Sequence, residues 1–330
     1  MNNLSSSNNR INRFFRNNIR HFALIGIIII LFVLFFSLSP AFRSLESFMN
    51  IIRRVMVLGI VSIGMTFVIL SGGLDLSIGS NLALSGVVAA IVLNSTGNAF
   101  LGFITALAVG SFVGFINGYM IGKLKISSVV LTLATLGMAR SLTLVITNAS
   151  TVRISNPIFG WLGQTSIKTS LANIPVAGFL VIFLFIIFGI ILNNTLFGRK
   201  IYALGSNPVA SRIAGLMVEQ NTIIVYVLTG LLVGVGSIVM VGRVVSAVPW
   251  AGLGLEFEAI TAVIIGGTIK PGEGDLKGTF LGVLMLGILF GGLGVLDISP
   301  YFQQIAKGVL LLFAVLIYQF SQKFSPGHLR

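Results

Sequence analysis

The chain has 330 residues, of which 55% are hydrophobic and only 9% are charged, and its mean hydropathy is +1.03. Soluble domains carry about 25% charged residues, so this composition excludes an ordinary soluble protein and predicts an integral membrane protein with many spans. The formal net charge of +13 does not indicate a nucleic-acid partner, because the basic residues lie between apolar runs, where they orient the chain and meet anionic headgroups.

The N-terminal segment 1–21 is rich in Asn and Ser and contains several arginines, which predicts a disordered basic tail on the cytoplasmic side. The first apolar run, at about 22–38, is close to spanning length and lacks a small-residue cleavage site. It therefore predicts a span rather than a cleaved signal peptide. The charged segment 41–54 predicts a short interfacial helix.

Nine further apolar runs bring the total to ten candidate spans, so we predict an all-α, polytopic membrane domain over 22–322 with a short tail at 323–330. The further runs are 55–71, 77–94, 100–121, 127–147, 174–193, 222–242, 255–269, 278–296 and 302–322. Several are close to the minimum length, so we expect those spans to be tilted, broken or shielded inside the bundle.

The charges of the loops predict the orientation. If the N-terminus is inside, the segments on that side carry about twice as many Lys and Arg residues as those on the other side. This bias places both termini and the polar segment 196–221 in the cytoplasm, and the loop 148–173 outside.

The segment 196–221 is a basic interruption between two long apolar runs. Ser206 or Asn207 is suited to cap a helix and Pro208 to its first turn, so we predict a helix of about three turns outside the bilayer core. Gly215 weakens that helix. By residue spacing alone, this element is either a docking helix for a soluble partner or an ordinary capped connector.

Paired glycines at Gly72 and Gly73 interrupt the apolar pattern between the second and third runs, and Asp75 follows them. One interpretation is a helix cap by Asp75 at the cytoplasmic boundary. The other is a broken helix whose carboxylate lines a permeation path.

Four other ionisable residues stand out near the apolar runs. Glu256 and Glu258 are two residues apart and would not share a helix face, which argues against paired acid–base catalysis. Glu258 is interpreted as a partner for a basic residue, a helix cap or a contributor to gating. Arg140 and Lys307 fall within spans, where a charge needs a partner and is a functional candidate by default.

No cofactor or metal site is predicted. The chain has no cysteine and only two histidines, His21 and His328, near opposite ends. The glycine-rich stretch 266–278 lacks the spacing and the closing Gly-Lys-Ser/Thr of a phosphate-binding loop, so it predicts a tight turn. If transport is driven by ATP, another polypeptide must bind the nucleotide.

Three stretches of the sequence resemble the permease subunits of ribose-type ABC sugar importers. They are GMTFVILSGGLDLSIGS at 64–80, GRKIYALGSNPVASRIAG at 198–215 and AGLGLEFEAITAVIIGGT at 251–268. The similarity runs from about residue 50 to 320, in order and at matching spacing. It implies a non-enzymatic transport subunit with a type II importer fold in a bacterial inner membrane.

The resemblance also implies partners and site residues. The partners are two cytoplasmic ATPase subunits, a second permease subunit in a homodimer or heterodimer, and a periplasmic sugar-binding protein. The residues that match the family's ATPase-coupling segment are Gly205, Asn207, Ala210 and Gly215. The candidates for the translocation pathway or its gating are Asp75, Ser77, Gly79, Glu256 and Glu258.

The chain departs from the family's pattern at three places. Ser127 and Ser128 stand where prolines are usual, the inner turn contains Lys270 and Pro271, and the ninth run has Phe290 where asparagine is usual.

Two rival functions remain open. A secondary transporter driven by an ion gradient would need buried coupling carboxylates, and a membrane enzyme would need a nucleophile–base or metal-ligand cluster.

Overall fold

A computed structural model describes residues 2–169 and 173–323, without the side chains of 2–19, 314–315 and 317–323. Within these residues, thirteen α-helices form the bundle. The helices are α1 Asn2–Leu38, α2 Leu45–Leu70, α3 Ile78–Thr96, α4 Ala99–Gly122, α5 Ser128–Thr147, α6 Pro157–Gln164, α7 Val176–Asn194, α8 Leu196–Ser206, α9 Pro208–Ile213, α10 Val218–Val244, α11 Leu255–Ile265, α12 Leu276–Val295 and α13 Pro300–Lys323.

Short antiparallel strands close one end of the bundle. Strand β1 (Val152–Arg153) pairs with β4 (Ser246–Ala247), and β2 (Ser166–Lys168) pairs with β3 (Asn173–Pro175). We call this the α6 end, because α6 lies there, and the opposite end the α8–α9 end.

Helix α2 lies at the centre of the bundle, and every residue of it from Val55 to Leu70 is buried. Helix α10 packs beside it, and α4 packs closely against α10 because α4 carries glycines at positions that face α10. A Cβ atom at Gly114 or Gly118 would collide with the backbone near Tyr226 or Ile223. Close approach through small residues is how helices associate when lipid supplies no hydrophobic driving force.

Eight helices among the described residues are long and apolar enough to cross a membrane. They are α2, α3, α4, α5, α7, α10, α12 and the part of α1 from Arg20 to Leu38. Helix α13 has 24 residues, but most side chains near its end are not described. Helix α11 has only 11 residues, about 16 Å, against an apolar core of about 30 Å. The all-α membrane architecture is confirmed, whereas the count of ten spans is not.

The structure corrects two predictions near the N-terminus. The segment 1–21 was predicted to be disordered, but α1 begins at Asn2, and no Pro or Gly interrupts the chain before Gly26. The segment 41–54 was predicted to be an interfacial helix. Instead, a 3₁₀ turn at Pro40–Arg43 leads directly into α2, which Ser44 caps through a bond from the Ser47 N–H. In the predicted C-terminal tail, residues 324–330 lie outside the described chain.

The segment 196–221 also differs from its prediction. Two helices stand where one was expected, because α8 already occupies Leu196–Ser206 and Asn207 starts α9. Helix α9 has six residues rather than about three turns, and Gly215 lies just beyond it with φ of +82°.

Candidate functional site

The chain between α2 and α3 is irregular backbone that enters the bundle, where Asp75 and Ser77 are buried and neighbouring helices satisfy its polar groups. The Leu74 N–H donates to Ser128 Oγ at 3.2 Å, and the Leu76 N–H donates to Thr132 Oγ1 at 3.0 Å. The Tyr226 hydroxyl donates to the Leu74 carbonyl at 3.0 Å. Because lipid offers no hydrogen-bond partner, such a break is stable only where protein or water surrounds it.

Asp75 starts a chain of buried hydrogen bonds from this break to α4 and α5. Its side chain is 3% exposed, and its Oδ1 accepts from the Ser77 N–H at 2.9 Å and from Ser77 Oγ at 2.6 Å. Asn117 Nδ2 donates to Ser77 Oγ at 3.0 Å, and the Thr135 hydroxyl donates to Asn117 Oδ1 at 2.7 Å. The carboxylate therefore holds the turn together from inside the bundle.

The structure does not make Asp75 the N-cap of α3, which was one of the two interpretations of this residue. Helix α3 has Ser77 as its N-cap, and Asp75 bonds the N–H of that residue rather than a first-turn N–H of the helix. Partners from α4, α5 and α10 satisfy the polar groups of the break where it enters the bundle. A role for Asp75, Ser77 and Gly79 in the pathway stays a prediction.

After α10 the chain turns back into the bundle over residues 245–254, which we call the re-entrant segment. A Cβ atom at Gly79 would overlap the Gly252 carbonyl, so the two backbones touch. Two residues beyond Gly79, the Asn81 side-chain amide donates to the Gly110 carbonyl at the middle of α4. The re-entrant segment therefore reaches the bundle interior, and α11 continues from there toward the α8–α9 end.

Arg140 holds the re-entrant segment in place. Its Nη1 donates to the Pro249 carbonyl at 2.6 Å and to the Ala251 carbonyl at 2.8 Å. These carbonyls belong to non-helical backbone, so within the described residues no N–H group of a helix donates to them. The sequence predicted that Arg140 needs a partner. That partner is backbone about 110 residues further along the chain.

We expect Arg140→Gln to lower the stability of the purified protein by about 2 kcal/mol, because it removes a charged donor from two carbonyls in a site with little water. Arg140→Lys keeps the charge but loses the planar guanidinium, so its stability should lie between that of the parent and that of Arg140→Gln. Thermal unfolding in detergent measures the effect. A melting temperature equal to the parent's for Arg140→Gln would contradict the tether.

The two acidic residues of α11 have separate neighbours, as predicted. Glu256 is 5% exposed and lies against Gly79, whereas Glu258 forms an ion pair with Lys307 of α13. The Lys307 ammonium also lies 5.3 Å from the centroid of the Phe290 ring. The expected basic partner of Glu258 is therefore Lys307.

Helix α9 presents an apolar surface at the α8–α9 end of the bundle. Asn207 Oδ1 accepts from the Ala210 N–H at 2.9 Å, which confirms the predicted cap. Val209, Ile213 and Met217 are then 68%, 83% and 61% exposed. We call these three residues the α9 patch. It lies among the basic residues that the charge pattern placed on the cytoplasmic side.

The four predicted coupling residues have different surroundings. Asn207, Ala210 and Gly215 are exposed, whereas Gly205 is half-buried and faces the bundle. A Cβ atom at Gly205 would overlap the Leu70 carbonyl at the end of α2. Direct contact of the first three with an ATPase stays a prediction, and Gly205 packs against the bundle instead.

Helix α8 also contacts the turn between α11 and α12. The Tyr202 hydroxyl donates to the Gly274 carbonyl at 2.8 Å, and the Gly272 N–H donates to the Leu70 carbonyl at 2.9 Å. Burial, and then the negative charge of Asp275, raises the pKa of Tyr202 to about 12, so its hydroxyl stays protonated at physiological pH. Helix α8 thus joins the end of α2, next to the buried break, to the turn that follows α11.

Reasoning from the sequence missed Tyr202, Gly272 and the exposure of Val209. The only sequence signal for the contact between the end of α2 and the turn after α11 was that both segments contain glycines. Neither turn shows which other segment it touches.

Comparison with known proteins shows the family. Residues 47–315 match the family model described as the permease component of the branched-chain amino acid transport system. The ribose import permease protein of Escherichia coli K12 is 39% identical over 295 residues, which cover 88% of this chain and 91% of that protein. The ribose import permease protein of Bacillus subtilis is 37% identical, covering 87% and 89%.

A relative with another sugar in its name is similar along the same length. The L-arabinose transport system permease protein of Escherichia coli K12 is 34% identical over 302 residues, covering 90% of this chain and 91% of that protein. No solved structure matches the chain. The resemblance found in the three sequence stretches is confirmed, and the chain belongs to this family of transport-system permease components.

Proposed function

We propose that this chain is the membrane permease subunit of an ABC importer that carries a monosaccharide across a bacterial inner membrane. ATP is bound and hydrolysed by separate cytoplasmic ABC ATPase subunits, and a periplasmic sugar-binding protein delivers the substrate. Relatives named for ribose and L-arabinose support a sugar as the substrate class. We expect the permease to bind sugar weakly and the binding protein to provide most of the selectivity.

The α9 patch carries this proposal. Val209 and Ile213 are exposed on a capped helix at the end with the basic loops, and the exposed Met217 follows four residues after that helix ends. Apolar side chains exposed among basic residues outside the lipid mark a protein contact. The sequence has no phosphate-binding loop, so a docked ATPase subunit is the source of energy that fits this surface. In this proposal both termini lie in the cytoplasm, on the same side as the α9 patch.

The re-entrant segment supports a second permease subunit. Trp250 and Leu253 are 51% and 66% exposed, on non-helical backbone that enters the bundle interior. Lipid cannot satisfy backbone of this kind, so another protein surface or a water-filled path has to cover it. Two permease subunits with the path between them meet this requirement.

Uptake by the assembled importer in vesicles tests the proposal. The chain is co-expressed with its ATPase and reconstituted with the binding protein outside and ATP inside, and entry of radiolabelled D-ribose or L-arabinose is measured. We expect uptake that requires ATP and stops when the ATPase is inactivated. Uptake driven by a proton or sodium gradient without the ATPase would support the secondary transporter instead.

We expect Ile213→Asp to weaken co-purification of the ATPase about tenfold or more, because it places a charge in an apolar contact that has to lose its water. The control is Gln220→Asp, which adds the same charge at an exposed position nearby. Pull-down at matched expression measures the effect. Equal recovery of ATPase with both variants would remove the α9 patch from the docking surface.

A further inference from the structure

A cavity between α11, α12 and α13 contains a charged pair that the coupling surface does not use. Its lining includes Leu253 at the tip of the re-entrant segment, Phe257 and Glu258 of α11, Phe290 of α12, and Lys307 of α13. Lys307 lies about two turns into the 24-residue α13. The pair therefore lies well inside the packed helices rather than at the start of α13.

This wall of the bundle is not built to face lipid. The side chains of Glu258 and Lys307 are 21% and 27% exposed, and a charged side chain within the membrane faces a bundle interior or a water-filled path. The surface of α7 is different, because every exposed side chain from Phe179 to Ile190 is large and apolar. The cavity shares Leu253 with the re-entrant segment, so it opens on the path that we propose between the two permease subunits.

The chemistry of the cavity suits a neutral polyhydroxylated molecule. A carboxylate supplies acceptors and an ammonium supplies donors, so together they can bond neighbouring hydroxyls, which both donate and accept. Because the two charges cancel, the pair does not trap an ion of either sign. The Phe257 ring is 42% exposed and offers an apolar surface to the C–H face of a sugar ring.

We propose that Glu258, Lys307 and Phe257 contact the sugar hydroxyls and ring as the substrate passes through the permease. This inference rests on the proposed function, because it names the substrate contacts of that transporter. The alternative is a purely structural role, in which the two charges would only join α11 to α13. The cation–π contact with Phe290 keeps the ammonium in place when a sugar hydroxyl competes for Glu258.

The double variant Glu258→Leu/Lys307→Met tests the assignment. Both charges are removed together, so neither is left unpaired in the cavity, and the variant should keep its melting temperature and its bound ATPase subunits. We expect ATP-driven uptake of D-ribose and L-arabinose to fall about tenfold or more at equal protein in the vesicles. Unchanged uptake, or a loss that follows a lower melting temperature, would overturn the proposal.

A second measurement does not depend on the pair being mutated. The chain has no native cysteine, so Leu253→Cys provides a single thiol in the cavity, and Ser95→Cys provides an exposed control at the α6 end. In the reconstituted importer, millimolar D-ribose or L-arabinose should slow labelling of the first thiol and not of the second. Equal labelling of Leu253→Cys with and without sugar would overturn the assignment. If the parent importer shows no ATP-dependent uptake of either sugar, the proposed function is wrong. If the parent takes up sugar but the variants behave as the parent, only the substrate contacts proposed here are wrong.

Discussion

Replacing Gly205 by alanine is expected to reduce ATP-driven uptake about tenfold or more while the importer still assembles. A Cβ atom at this position would overlap the Leu70 carbonyl and lie against the Gly272 N–H, and both are backbone groups that cannot swing aside. Overpacking of this kind costs about 1–3 kcal/mol. Each 1.4 kcal/mol, roughly, is a factor of ten in an equilibrium, so the seated position of α8 would be depleted by about that factor.

The contacts of α8 explain why uptake rather than assembly should fail. ATP can shift the permease between two states only if its binding energy differs between them, and that difference has to reach the membrane interior through packed elements. Helix α8 contacts the end of α2 where Gly205 lies against the Leu70 carbonyl, and it bonds the turn after α11 through Tyr202. The α9 patch itself is unchanged by Gly205→Ala, so docking is preserved while the connection behind it is displaced.

Gly189→Ala in α7 is the matched control. It adds the same methyl group to another helix, where nothing lies within 4 Å of the new atom. Uptake, ATP hydrolysis and recovery of the ATPase are measured for both variants. The expected pattern is that Gly205→Ala hydrolyses ATP without uptake, and that Gly189→Ala behaves as the parent. Parental uptake by Gly205→Ala would show that α8 does not need this contact.

The helices could be predicted because their signal is local. A long apolar run is detectable without knowing its neighbours, and the Asn207 cap follows from three adjacent residues. The start of α2 was misplaced because Arg53 and Arg54 interrupt its apolar pattern. The structure satisfies Arg54 through the Phe290 carbonyl and Gln303, which lie more than 200 residues further along the chain.

The re-entrant segment could not be predicted for the same reason. In sequence it is indistinguishable from an outer loop, since residues 245–254 are short, partly polar and rich in turn residues. It reaches the interior because Gly252 fits against Gly79 and because Arg140 supplies two donors. Those are long-range contacts. The sequence indicated that Arg140 and Lys307 needed partners, and only the fold shows which ones.

Asp75→Ala is expected to lower the melting temperature and to reduce uptake to about a tenth or less. It removes an acceptor that holds both the N–H and the hydroxyl of Ser77, and hydrogen bonds to a charged group contribute about 1.5–3 kcal/mol each. The loss would extend to Asn117 and Thr135, because the Ser77 hydroxyl orients them in turn. Thermal unfolding and uptake in vesicles measure the two effects.

Asp75→Asn separates the geometric role of this residue from any role of its charge. The amide keeps an oxygen where Ser77 donates, but it cannot exchange a proton or bind a cation as a carboxylate does. If Asp75 holds the break between α2 and α3, the Asn variant should recover most of the stability and uptake that the Ala variant loses. If the chain were an ion-coupled transporter that used this buried carboxylate, Asp75→Asn would be folded and inactive. A folded, inactive Asp75→Asn would therefore count against an importer whose energy comes only from ATP bound beneath the α9 patch.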